Sequence, residues 1–342
     1  MVSTVSRPPN LADVARHAGV STGTVSNVLN HPDKVKEGTT ARVTRSIEAL
    51  GFVRNTNASS LANGGSSNIG LVVSDLGNSL FVELARGAQH TSRTVGHNLL
   101  LAGSENDLGV QDANVDSFIG ARVAGVLLAP MHDSSAQLRR LAKRHVPVVL
   151  INYDPDNDQT CCVIVDNERV GYLAAKHLID LGRTRIAFVS GDDTVQPVRL
   201  RRIGVRRAVA ETGGRVSLEE VHTADFNDGS GAQAARELTA RVGDARPDGV
   251  IAVSDNLAVG FIEQASDLGV AIPADMAVMG CDSNTSAPSC RLTLTTVAMK
   301  GIELGAAAMT LLADEILHGA AEHVHQRIVL EPELIARQST SQ

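Results

Sequence analysis

Residues 11–30 read LADVARHAGVSTGTVSNVLN, and the placing of apolar, small and glycine positions in this stretch decides the fold of the first part of the chain. Leu11, Val14, Ala15 and Ala18 recur at helical spacing and stop at Gly19, whose freedom at positive φ suits a tight turn. Ser21 stands where an N-cap belongs, ahead of Val25, Val28 and Leu29 at spacings of three and four. A third run puts Val43, Ile47 and Leu50 on one face and ends at Gly51, a natural residue just past a helix end. Helices this short are not stable alone, so the three are expected to bury their stripes against one another. Helix, glycine turn and second helix have helix-turn-helix spacing, and the small hydroxyl residues opening the second helix can approach a phosphate closely. An ordinary helical hairpin carries the same apolar pattern.

Charge is unevenly spread around this stretch. The chain of 342 residues has a formal charge of -7, yet up to Ser67 seven basic residues face four acidic ones, a net +3, leaving -10 for the remainder. A basic head on an acidic body suits a DNA-binding domain attached to a sensor.

Residues 55–67, NTNASSLANGGSS, are polar and glycine-rich and read as a linker with one conspicuous apolar residue, Leu61. Beyond it, short apolar runs such as IGLVV (69–73), GVLLA (125–129), PVVLI (147–151), CVIV (162–165), IAFVS (186–190) and MAVMG (276–280) alternate with amphipathic stretches near 81–95, 170–181, 203–212, 231–242 and 257–268. Alternation of this kind indicates parallel sheets covered by helices on both faces. Eight or more strands over about 260 residues suit two doubly wound parallel-sheet lobes, with a ligand cleft at the carboxyl ends of the strands.

Composition bounds the function classes. Hydrophobic residues at 43% and charged residues at 20% describe a folded globular chain, and with 2% aromatics and no Trp any pocket must rely on polar side chains. Cys161, Cys162, Cys281 and Cys290 have neither zinc-motif nor disulfide-framework spacing and read as reduced, mostly buried thiols. His318, His323 and His325 read as a solvated surface group, so no metal and no cofactor is expected. No apolar leader opens the chain and no segment reaches the roughly 18 apolar residues of a membrane span, which points to the cytoplasm.

The motif DVA-x-x-AGVS-x-x-TVS-x-VLN resembles the opening signature of the lactose/galactose repressor (LacI/GalR-type) family. The likeness continues through Arg42-Val43, residues 49–52, Asn55, NIGLVV, ADFNDGSG, SDNLAVG, GCD and LTTV to PELIARQST, nearly the whole chain. It implies a helix-turn-helix domain at 1–54, a hinge with a short helix at 55–67, and a periplasmic-binding-protein-like effector and dimerisation body at 68–342. Within the body it implies a first lobe of about 68–177 and 298–328 and a second of about 178–297 and 329–342. The implied activity is operator binding as a homodimer, controlled by a small-molecule effector, with a sugar or sugar derivative the leading class. No leucine-heptad tail of the tetrameric kind follows the last motif.

Carried over residue by residue, the resemblance assigns Thr22, Gly23 and Asn27 to base edges and Thr24, Ser26 and Asn30 to phosphates. Asn55, Ala58 and Leu61 are the hinge positions on DNA, with Leu61 the apolar wedge in the central minor-groove step. The family often has Arg where this chain has Asn27, and Asn favours adenine where Arg favours guanine. In the body it assigns Ser74, Ser79, Phe81, Asp166, Arg201, Phe226, Ser254, Asp255 and Asp282 to the effector. Acidic and Arg side chains converging on a cleft bind vicinal hydroxyls, and Phe226 offers a flat face to a sugar ring. Local alternatives stand beside these roles: Asp166 or Asp282 capping a helix, and Arg201 as one surface charge on an Arg-rich helix. Ser254 and Asn152 depart from the family's usual Asn and Asp.

Two other classes compete. An enzyme is disfavoured by the lack of Walker A, G-x-G-x-x-G, G-x-S-x-G and H-E-x-x-H patterns. A periplasmic solute-binding protein would share the body but have no use for the first sixty residues.

Overall fold

The computed structural model describes residues 7–53, 66–130, 132–155, 157–191, 193–283 and 291–341. The chain divides into two compact units, Met1–Gly65 and Ser66–Gln342. Asn55, Ala58 and Leu61 lie outside the described residues, as does Cys290.

The first unit holds helices α1 (Leu11–Ala18), α2 (Thr22–Asn30) and α3 (Glu37–Leu50). Each boundary has a local cause. Asn10 and Asp13 form a reciprocal capping box at α1, Gly19 ends it at φ 64°, Ser21 Oγ accepts from the Thr24 amide at the start of α2, and Gly51 ends α3 at φ 60°. Val14, Ala15, Ala18, Val25, Val28 and Val43 form the buried centre, with Leu11, Ile47, Leu50 and Phe52 packed around it.

The second unit carries two six-stranded sheets. The first contains β1 (Asn68–Val73), β2 (Asn98–Gly103), β3 (Gly125–Leu128), β4 (Val148–Ile151), β5 (Cys161–Val165) and β11 (Arg327–Leu330), in the order β11-β5-β4-β3-β1-β2, all parallel. The second contains β6 (Arg185–Ser190), β7 (Ser217–His222), β8 (Gly249–Ala252), β9 (Ala277–Gly280), β10 (Thr295–Ala298) and β12 (Glu333–Ile335), in the order β12-β10-β9-β8-β6-β7. Only β12 runs antiparallel to its neighbour. Strand order reverses at β1/β3 and again at β6/β8, and the crevice above the carboxyl ends at such reversals is where ligands bind.

Helices α4 (Ser79–Thr94), α5 (Leu108–Gly120), α6 (Ser135–Lys143) and α11 (Gly301–His318) belong to the first sheet. Helices α7 (Asn167–Asp180), α8 (Gln196–Ala210), α9 (Asp228–Thr239) and α10 (Asp255–Asp267) belong to the second. Because both faces are covered, the central strands are buried beyond their first residues and read as continuous apolar runs: Leu71, Val73, Val149 and Val163 face one side while Val72, Leu150, Cys162 and Ile164 face the other.

Two sequence expectations need correction. The passage between lobes comes earlier than residue 177, because α7 packs on β8, β9, β10 and β12 of the second sheet, and the return to the second sheet comes after Leu330 rather than before residue 329. His323 is not solvated surface: its side chain is fully buried against Cys161, while His318 remains exposed.

Candidate functional site

Thr22, Gly23 and Asn27 are exposed on α2, while Thr24, Ser26 and Asn30 are half-buried beside them. Val25 and Val28 point inward from the same helix and fix which face is turned outward. Thr24 Oγ1 lies 2.9 Å from Ser21 Oγ, and Asn30 Nδ2 donates to Ser26 Oγ at 3.2 Å, so the hydroxyl groups are held in place at the surface. Arg7 and Arg16 are paired with Asp13, whose carboxyl is held below its ordinary range first by the Asn10 amide. Among the described residues, Lys34, Lys36, Arg42 and Arg45 have no acidic partner within ion-pair distance, which leaves the basic charge of this unit available to an anionic polymer.

In the second unit a cavity of about 60 Å³ lies at the carboxyl ends of the strands, lined from the first lobe by Asp75, Asn78, Phe81, Asn106 and Asn152 and from the second by Val198, Arg201, Phe226, Ser254 and Asp282. Arg201 lies near the start of α8, and its backbone is pressed on α7 where a Cβ on Gly171 would fall 1.8 Å from the Arg201 carbonyl oxygen. The guanidinium is buried at 5% exposure, so Arg201 is no surface charge on its Arg-rich helix. Nε donates to Asn167 Oδ1 at 3.0 Å, Nη1 to the Val253 carbonyl and to Asp282 Oδ1 at 3.3 Å, and Nη2 reaches Met299 Sδ.

Asp282 is buried at 4% exposure directly after β9. It caps no helix. Burial pushes its carboxyl above the ordinary range, opposed by Arg201, by Asn78 and by the Asp255 amide. Asn78 Nδ2 donates to Asp282 Oδ2 at 3.0 Å, and Asn167 Nδ2 donates to Asn152 Oδ1 at 2.9 Å. Asn78 and Asn152 come from the first lobe and the other three residues from the second. The five side chains therefore form one polar chain, Asn78–Asp282–Arg201–Asn167–Asn152, anchored on the first lobe at both ends.

Five of the nine body residues singled out from sequence line the cavity: Phe81, Arg201, Phe226, Ser254 and Asp282. The other four do not. Asp166 caps α7 through the Arg169 amide at 2.8 Å and lines a separate cavity of about 440 Å³ with Asp154, Gln196 and Arg327. Asp255 lies beneath the site, accepting from Thr296 Oγ1 at 2.7 Å and from the Asp282 amide at 3.1 Å, and so holds Asp282 in place. Ser74 and Ser79 are buried beside the cleft, and their hydroxyls have no hydrogen-bond partner among the described residues. Ser254 lines the cavity, but its Oγ is committed to the Phe226 carbonyl and the Leu257 amide.

Sequence reading passed over Asp75, Asn78 and Asn106, and treated Asn152 only as a departure. The signal available for Asn78 and Asn106 is position, since both follow strands β1 and β2 within a few residues. Asn106 Oδ1 is a buried acceptor without a partner among the described residues, and with the two free serine hydroxyls it supplies unused hydrogen-bonding capacity at the cleft.

A helix-turn-helix unit joined to a two-sheet body with an interlobe cleft defines a DNA-binding transcriptional regulator with an effector-binding domain. Residues 10–55 match the bacterial regulatory proteins of the lacI family, and residues 175–340 match the periplasmic binding protein-like domain. The chain is 33% identical over 335 residues to the ribose operon repressor of Escherichia coli (strain K12), covering 96% of this chain and 99% of the repressor. It is 32% identical over 330 residues to catabolite control protein A of Priestia megaterium, covering 96% and 98%. Among solved structures it is similar to a complex of the transcriptional regulator CelR with cellobiose, with 29% identity, a TM-score of 0.71, and coverage of 97% and 99%. The chain belongs to the LacI family of bacterial regulatory proteins. No helix among the described residues is long and apolar enough to cross a membrane.

Proposed function

We propose that this regulator is a cytoplasmic repressor that binds a near-palindromic operator as a homodimer and is controlled by a sugar or sugar derivative in the interlobe cleft. The observation that carries the effector reading is the five-residue polar chain, because it joins the lobes through groups that a polyhydroxylated ligand can replace one for one. A hydroxyl between Asn78 and Asp282 accepts from the amide and donates to the carboxylate, so vicinal hydroxyls exchange the protein's own bond for two bonds to ligand. Phe81 and Phe226 supply apolar faces for a ring. The cavity of about 60 Å³ is far below the roughly 300–1,000 Å³ of typical ligand sites, so entry requires the lobes to part. Effector binding is then a shift between lobe arrangements, linked reciprocally to operator affinity.

On the DNA side, Thr22, Gly23 and Asn27 read base edges, Thr24, Ser26 and Asn30 hold phosphates, and Asn55, Ala58 and Leu61 act in the hinge. A two-fold operator needs two heads, which is the reason for a homodimer. No catalytic step and no cofactor is part of this reading. The test is operator binding at fixed salt against a panel of sugars and sugar phosphates: one compound should change affinity for a specific site, and indifference to every compound removes the sugar assignment. Similarity to a regulator solved in complex with cellobiose and to a repressor of a ribose operon is the reason to try saccharides first.

A further inference from the structure

At the opposite end of the first sheet from the cleft, the chain that returns from α11 folds over the start of β5. There Cys161 Sγ lies 3.1 Å from His323 Nε2 and 3.7 Å from His325 Nδ1. The three ligand atoms all lie within 4.8 Å of one another. The two imidazoles meet edge to face at 76° with ring centroids 5.2 Å apart.

We propose that Cys161, His323 and His325 form a binding site for a zinc-class divalent cation. The sulfur–nitrogen spacing suits a tetrahedral site: bonds of about 2.3 Å to sulfur and 2.0–2.1 Å to imidazole nitrogen place sulfur and nitrogen about 3.5 Å apart, and the two observed separations bracket that value.

Two further contacts are those of a metal site. Asp314 Oδ2 accepts from His323 Nδ1 at 2.7 Å, which sets the tautomer and leaves the Nε2 lone pair facing Cys161. The Gln326 amide donates to Cys161 Sγ at 3.2 Å, which fixes the position of the sulfur. Glu315, next to Asp314 on α11, is buried at 6% exposure, and its Oε2 has no hydrogen-bond partner among the described residues. Half-buried His325 also lines an open cavity of about 470 Å³, through which the ion enters and water completes the coordination. The ion fastens residues 319–326, which join α11 to β11, onto the start of β5. All strands of this sheet are parallel, so this is also the edge at which β1 begins at Asn68.

The test uses full-length, tag-free, chelator-washed protein under reducing conditions, titrated with zinc(II) against a chromophoric chelator and separately with cobalt(II). The expected result is one ion per chain with a dissociation constant below micromolar, and a cobalt complex with tetrahedral visible bands and a thiolate charge-transfer band. Cys161→Ser should abolish the charge-transfer band. His325→Gln, a change at a half-buried position that leaves the core intact, should weaken zinc binding at least tenfold. Less than a tenth of an ion bound per chain, or a His325→Gln protein that binds as tightly as the parent, overturns the site.

Discussion

Asn78 and Asp282 are 204 positions apart in the chain, and the Asn78 amide donates to the Asp282 carboxylate at 3.0 Å across the cleft. This one bond joins the loop after β1 in the first sheet to the loop after β9 in the second. Replacing Asn78 by Ala removes an interlobe bond without leaving a buried charge alone, since Asp282 keeps Arg201. The expected loss is about 1–3 kcal/mol from the closed arrangement, as for a hydrogen bond to a charged group. Small-angle scattering of the ligand-free protein should show a larger radius for Asn78→Ala, and effector affinity should change with it.

Removal of Asp282 itself is more severe. Asp282→Ala leaves the Arg201 guanidinium buried without its counter-charge, a loss of about 3–5 kcal/mol by the usual cost of breaking a buried ion pair. Chemical denaturation measures it directly. Asp282→Asn, which keeps the shape, should fold and lose effector affinity by about ten- to a hundredfold, the equivalent of one charged hydrogen bond.

The site also depends on a residue with no side chain. A Cβ at position 280 would fall 2.1 Å from Asp255 Oδ1, so Gly280→Ala must displace the carboxylate that holds the Asp282 amide and Thr296. Overpacking of this kind costs about 1–3 kcal/mol. The effect should appear as a lowered midpoint of unfolding together with weaker effector binding, while operator binding by protein folded at low temperature is retained.

How much of this was legible in the sequence depends on the range of the interaction. The helix ends at Gly19, Ser21 and Gly51 were readable because caps are set by residues within one turn. Strands β1, β3, β4, β5, β6 and β9 were readable because burial on both faces leaves no polar gap. Strand β7, Ser217–His222, was not, since it lies at a sheet edge with Glu219 turned to solvent and Glu220 taken up by Arg206. Helix α11 was missed as well, although its 18 residues make it the longest helix described. Asp166 illustrates the limit of reading a site by position: a carboxylate after a strand fits a ligand and a helix cap equally well, and here the Arg169 amide takes it. Burial of His323 depends on Cys161, 162 positions away, a contact that local pattern cannot contain.

Stability should fall in mild acid through His177. Burial lowers its pKa from the ordinary 6.5, and its Nε2 lies 2.8 Å from Thr340 Oγ1. The folded state thus favours the neutral ring, and its contribution is complete above pH 6.5 and is lost as pH falls through the window between 6.5 and the lowered value. His177→Gln keeps a polar side chain that does not titrate. Its unfolding midpoint should vary less than the parent's between pH 7 and the acid side of that window.

One head variant and one hinge variant test the DNA-binding roles. Asn27→Ala should cost about 1–3 kcal/mol on the specific operator and little on random DNA, as the base-edge role proposed for Asn27 requires. Leu61→Ala should lower operator affinity and leave effector binding unchanged, as expected of a wedge in the minor groove.

The most direct measurement is fluorescence anisotropy of the full-length protein on intergenic DNA upstream of its own gene and its neighbours, at one fixed salt concentration, with sugars and sugar phosphates added one at a time. The account predicts tight binding to a near-palindromic site, a change in affinity with one of these compounds, and loss of that change in Asp282→Asn. Binding that never exceeds the nonspecific level, or an effector response that Asp282→Asn leaves intact, would contradict it.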